Sequence, residues 1–112
     1  MSYKIIFQNV LERNPRNSLG NTPLHHAALL GHFDIFFLTL SNVQDINPGN
    51  NIGLTPLHIA AAKGYIGICK YIMEFLGNIN PRSNNGHTPL SLAYIKHHFK
   101  IYKLLRKKKI EF

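Results

Sequence analysis

The sequence predicts an all-α solenoid: helix-turn-helix units stacked in a row and joined by β-hairpin-like loops. Three observations lead there. Thr-Pro steps recur at Thr22-Pro23, Thr55-Pro56 and Thr88-Pro89, each 33 residues after the last. Asn-Pro steps at Asn14-Pro15, Asn47-Pro48 and Asn80-Pro81 keep the same spacing. Between these steps apolar residues return at helical intervals. A fixed period without insertions marks a stacked-repeat chain, in which each unit buries its apolar face on its neighbours.

Taken in order, residues 3–12 read as a helix with Ile6, Phe7, Val10 and Leu11 on one stripe. Tyr3 is in register with Phe36 and Cys69, so this segment matches the second helix of a unit whose first helix is missing. An opening Met1 favours a compact N-terminal cap over the cut edge of a longer array. Asn14 to Asn21 form a hairpin-like turn. Thr22 then caps a helix over Pro23 to Leu30, and Pro23 occupies its first turn, where a missing N–H costs nothing. Ala27 and Ala28 keep that helix slim enough for a close partner. The next helix is predicted over Phe33 to Asn42, with Phe37 in register with Lys70 and Lys103 and therefore facing solvent.

The second unit repeats the plan with helices over Pro56 to Lys63 and Ile66 to Leu76, the latter presenting Ile68, Ile72, Phe75 and Leu76 as its apolar face. The third decays. Ser91 stands where the other units have His25 and His58, Tyr94 replaces an Ala, and His97 replaces the helix-ending Gly31 and Gly64. Arg106 to Lys109 are polar where Met73 and Leu76 are apolar. A polar last helix suits a C-terminal cap, and two modified ends predict a complete short array of about three repeats. The boundaries are a capping helix at 1–13, then repeats at 14–46, 47–79 and 80–112, together one domain.

The run Gly53-Leu54-Thr55-Pro56-Leu57-His58-Ile59-Ala60-Ala61-Ala62-Lys63-Gly64-Tyr65 has a near copy starting at Gly20 and a degraded one starting at Gly86. These runs and their period resemble ankyrin repeats, and the likeness extends from about Tyr3 to Leu105. The resemblance implies that His25 and His58 are structural, hydrogen-bonding between neighbouring repeats, and that His32 is structural too. It also implies a Gly at the end of each second helix. Val10, Val43 and Leu76 stand there instead, which leaves the local cap geometry open.

Composition narrows the functional classes. The five acids Glu12, Asp34, Asp45, Glu74 and Glu111 are too scattered to pair for acid–base work. No nucleophile elbow, phosphate-binding loop or metal-ligand spacing is present. The adjacent pairs His25-His26 and His97-His98 point about 100° apart on a helix and share no ligand face. Cys69 is alone, in register with core positions, and reads as core filler. No apolar stretch approaches the ~20 residues of a membrane span, and no signal peptide is visible. The sequence thus predicts no enzyme, cofactor, metal site or membrane anchor, but a monomeric binding protein of the cytoplasm or nucleus.

The resemblance implies partner docking on the concave surface of hairpin tips and first helices. Matching tip positions are Ser18, Leu19 and Asn21; Asn51, Ile52 and Leu54; and Asn84, Asn85 and His87. Matching helix positions are His26, Leu29 and Leu30; Ala62 and Lys63; and Ile95 and Lys96. Leu19, Ile52 and Leu54 are informative, since a solvated tip gains nothing from a large aliphatic group whereas an interface core does. The expected partner is another protein, with this chain as adaptor or inhibitor.

The formal charge of +8 is uneven: Lys96, Lys100, Lys103, Arg106, Lys107, Lys108 and Lys109 all fall in the last seventeen positions. This basic patch reads first as a solvated end helix whose cations suit its C-terminus. Alternatives are a nuclear-targeting or acidic-partner patch, or nucleic-acid binding. The last needs aromatic rings among the charges, and register assigns Phe99 and Tyr102 to the core. A structural fragment of a longer array is the remaining alternative.

Overall fold

The computed structural model describes residues 17–40, 47–76 and 79–110. Six α-helices follow one another there: α1 (Pro23–Leu30), α2 (Phe33–Leu40), α3 (Pro56–Lys63), α4 (Ile66–Phe75), α5 (Pro89–Ile95) and α6 (Phe99–Ile110). The described residues contain no strand. Each odd-numbered helix packs on the helix after it, and the odd-numbered helices also pack on one another in a row. The even-numbered helices touch their counterparts far less. Side-chain size explains the difference. Ala27, Ala28, Ala60, Ala61 and Ala93 are almost wholly buried in the first row, and small residues let backbones approach. Close packing along one row and loose packing along the other curves the stack, with the first helices on its inner side.

The core is a continuous strip. Leu24 of α1 and Phe36 of α2 meet Leu57 of α3, and Ile68, Cys69 and Ile72 of α4 carry the strip on to Ile101 and Leu105 of α6. Cys69 is fully buried, and burial pushes its thiol up to about 12. That makes it an inert core group.

Several expectations need correction. Helix α4 ends at Phe75, and Leu76 is extended at φ −102° and ψ 135°, so no glycine-type cap is used there. Phe75 is 61% exposed and does not belong to the apolar core face. It packs on Tyr71, whose ring also meets Phe33 and Phe37 across the gap to α2. Phe37 does face solvent, as its register with Lys70 and Lys103 requires. His32 is exposed. Phe99 is 47% exposed and not a core residue, whereas Tyr102 is half-buried and packs against the edge of the core. The capping helix expected at 3–12, Val10 and Val43, and the extension of α2 to Asn42 lie outside the described residues.

The start of α3 accounts for its backbone donors. At α3, Pro56 has no N–H, Leu57 N donates to Asn47 Oδ1 at 3.0 Å, His58 N donates to Thr55 Oγ1 at 3.2 Å, and Ile59 N donates to Thr55 O at 3.1 Å. The Asn of the Asn-Pro step is therefore a cap as well as a turn residue. His58 closes the arrangement: Thr55 N donates to its Nδ1 at 3.1 Å, and its Nε2 donates to the His87 carbonyl of the next unit at 2.8 Å. His25 does the same between Thr22 N and the Leu54 carbonyl, at 3.0 and 2.7 Å. These bonds fix the Nε2–H tautomer.

Stacking also explains one glycine. A Cβ on Gly64 would sit 2.7 Å from the His98 ring of the next unit, and its φ is +85°. At His97 the same positive φ, 65°, is carried by a residue with a side chain. Gly86 has φ +84° but nothing within 4 Å of its Cβ position. Both Gly64→Ala and Gly86→Ala should therefore be destabilising through backbone strain of about 1–2 kcal/mol. Gly64→Ala should cost up to about 1 kcal/mol more, because the half-buried His98 ring must swing aside. Urea midpoints at unchanged slope measure the difference.

Burial holds the His58 pKa below its ordinary 6.5. The unfolded chain then binds this proton more readily than the folded one. Stability should be complete above about pH 6.5 and fall as pH drops below it. The check is a urea midpoint that declines between about pH 7 and pH 5 while the far-UV signal of the folded baseline stays constant.

Candidate functional site

Each hairpin tip is built by one short polar side chain. Asn50 Oδ1 accepts from Ile52 N at 3.0 Å and Leu54 N at 2.9 Å, while Gly53 N donates to Asn50 O. Asn17 repeats this with Leu19 N and Asn21 N, and Ser83 Oγ accepts from His87 N at 3.1 Å. Such side-chain-to-backbone bonds hold a turn without a ladder. Neighbouring tips then pair edge to edge: Asn51 N donates to Leu19 O at 3.1 Å, and Asn84 N to Ile52 O at 2.8 Å.

This construction holds aliphatic side chains out of the tips. Leu19 is 64% and Ile52 53% exposed. Between the tips and first helices lies an apolar pocket of about 280 Å³. Its apolar wall is Leu29, Ile52, Leu54, Ile59, Ala62 and Leu92. Its polar groups are His58, Lys63, Ser83, Asn85 and His87. One imidazole contributes to both fold and pocket, since His58 lines the cavity while tying α3 to the third tip.

Seven of the sequence-predicted residues gather here: Leu29, Ile52, Leu54, Ala62, Lys63, Asn85 and His87. Ser18, Leu19, His26, Leu30, Ile95 and Lys96 are exposed but outside the pocket. Asn21, Asn51 and Asn84 use their amides on neighbouring tips: Asn50 Nδ2 donates to Asn21 Oδ1, Asn51 Nδ2 to Ser18 O, and Asn84 Nδ2 to Asn51 O. Sequence reasoning did not assign His58 or Ser83 to the partner site, and it missed Ile59 and Leu92. The last two stand 33 and 66 residues after His26, so adding the period to that position finds them.

In the basic patch Lys96, Lys100, Lys103, Arg106 and Lys107 are all exposed. The side chains of Lys108 and Lys109 lie outside the described residues. Among the described residues, no three His, Cys, Asp or Glu side chains gather to hold a metal ion. No helix there is long and apolar enough to cross a membrane.

A family model of ankyrin repeats in three copies matches residues 36–112, and a single-repeat model matches residues 19–51. The chain belongs to the ankyrin-repeat family. Ankyrin repeats are non-catalytic protein–protein interaction modules, and the tip-and-first-helix groove of this ankyrin domain is where its exposed aliphatic groups concentrate. No curated protein matches the chain.

Asn50 holds both Ile52 and Leu54 in place and also bonds to Asn21. Asn50→Ala should therefore cost about 1–2 kcal/mol, the range for losing buried or half-buried polar partners. The amide protons of Ile52 and Leu54 should exchange faster in the variant, while those of α4 are unchanged.

Proposed function

We propose that this ankyrin domain recognises a partner protein through the groove of hairpin tips and first helices, acting without catalysis as an adaptor or inhibitor in the cytoplasm or nucleus. The observation that carries the proposal is the apolar pocket walled by Leu29, Ile52, Leu54, Ile59, Ala62 and Leu92. Its volume of about 280 Å³ admits one aliphatic or aromatic side chain of a partner. Filling such a pocket desolvates a central anchor, which is where binding energy concentrates in protein interfaces. Lys63 and His87 at its polar side favour a partner whose anchor is flanked by acceptors or a carboxylate. Because the tips are already fixed by hydrogen bonds, docking needs little reordering of this chain.

The test is retention of proteins from a nuclease-treated lysate by wild type, Ile52→Asp and Leu19→Asp at physiological salt. Both side chains are exposed, so melting temperature and helical signal should stay near wild type. Wild type should retain a discrete protein. Ile52→Asp should lose it by at least about tenfold, because a charge in the pocket must be desolvated, and Leu19→Asp should weaken it less. Equal retention by all three chains would place the interface elsewhere, and unfolding of Ile52→Asp would make that side chain structural.

A further inference from the structure

We propose that the face where α5 turns into α6 binds single-stranded nucleic acid. Tyr94 is 59% exposed and Phe99 nearly half exposed, and their rings touch at 6.2 Å between centroids. Tyr102 packs on Tyr94 at 5.3 Å, and His97 on Phe99 at 5.6 Å. The Arg106 guanidinium lies 5.9 Å from the Tyr102 ring centre. Lys100, Lys103 and Lys107 follow one another on α6 at helical spacings of three and four residues, Lys96 stands at the end of α5, and all four are exposed. The chain has no acidic residue between Glu74 and Glu111. Open rings held rigidly beside a stripe of cations are what an unpaired strand requires: bases stack on the rings and phosphates meet the charges.

Two features separate this face from a merely solvated end. The positions equivalent to Tyr94 in the other units are Ala28 and Ala61, both fully buried. The Tyr94 ring leans on Tyr102, which packs on the core, yet 59% of it stays open to water, far more than covering the core edge requires. The helix end carries His97 where the other units have glycine, which adds a further ring to the cluster. A duplex keeps its bases stacked on each other and could use only the cations, and so could a plain acidic peptide. The exposed rings therefore select the unpaired strand. None of these residues lines the concave pocket, so this proposal and the protein-docking reading stand or fall separately.

The experiment is a titration of the full chain with a labelled single-stranded oligonucleotide of about twelve nucleotides. A duplex of the same length and polyglutamate serve as competitors. The single strand should bind more tightly than either competitor, with log affinity falling against log salt at a slope of about −3.5 for five cations. Tyr94→Ala installs the residue of the other two units and should lower affinity roughly tenfold at unchanged slope. Tyr94→Phe should retain binding. Lys100→Gln with Lys103→Gln and Lys107→Gln should flatten the slope by about 2. Circular dichroism confirms that each variant is folded. Equal binding of the duplex with no effect of Tyr94→Ala would overturn the proposal, since only backbone electrostatics would remain. Stronger binding of polyglutamate would make the face an acidic-protein site, and absence of binding at low salt would remove it altogether.

Discussion

The buried imidazole of the Thr-Pro-Leu-His segment is the joint on which the array depends. In His25 and His58 one ring nitrogen accepts from the Thr that starts its own helix, and the other donates to a carbonyl 29 residues further on. One side chain thus fixes a helix start, the base of the next hairpin tip and the distance between two units. Removing it would leave a carbonyl and an N–H unsatisfied in a dry setting, which costs more than the bond itself contributes. Burial lowers the His58 pKa and so favours its neutral ring, which this geometry requires: a proton on Nδ1 would face the Thr55 N–H, a donor against a donor. In the third unit the shorter Ser91 bonds to Thr88 N, Thr88 O and His87 Nδ1, all within its own unit.

Much of this was legible in the sequence because a repeat states each position more than once. The period located the six described helices, the Thr-Pro starts and the inert Cys69, and the resemblance implied the structural role of His25 and His58. Misjudged positions are those where equal register does not mean equal surroundings. Phe99 shares its register with Phe33 and half-buried Ile66, and Phe33 is itself partly open. Phe75 was placed inward because it is apolar, yet its ring finds Tyr71 on the outer surface. The amides of Asn21, Asn51 and Asn84 were read as available for a partner, but each bonds across to the adjacent hairpin. That distinction depends on the spacing of whole units, which no local pattern encodes. The pocket was half legible: seven of its residues followed from the resemblance, and Ile59 and Leu92 needed the period carried one step further.

The inner and outer surfaces answer to different physics. On the inner side, small side chains and hydrogen-bonded tips leave a preformed hollow whose walls are apolar. On the far end, rings and cations replace the alanine and glycine that stacking needs elsewhere. Gly64 is bare because His98 lies over it, whereas His97 carries a full side chain. Where a neighbour packs, the residue choice is dictated by that neighbour.

The hollow draws its walls from all three units: Leu29 from the first, Ile52 to Lys63 from the second, and Ser83 to Leu92 from the third. A repeat array is held together only by nearest neighbours, so its end units can open while the middle persists. Any such opening dismantles one wall. A ligand seated in the hollow therefore binds only the fully folded array and acts as a clasp across units that otherwise communicate pairwise. Occupancy would convert a row of semi-independent modules into a single cooperative body, and fraying of the ends would in turn set how long the ligand stays.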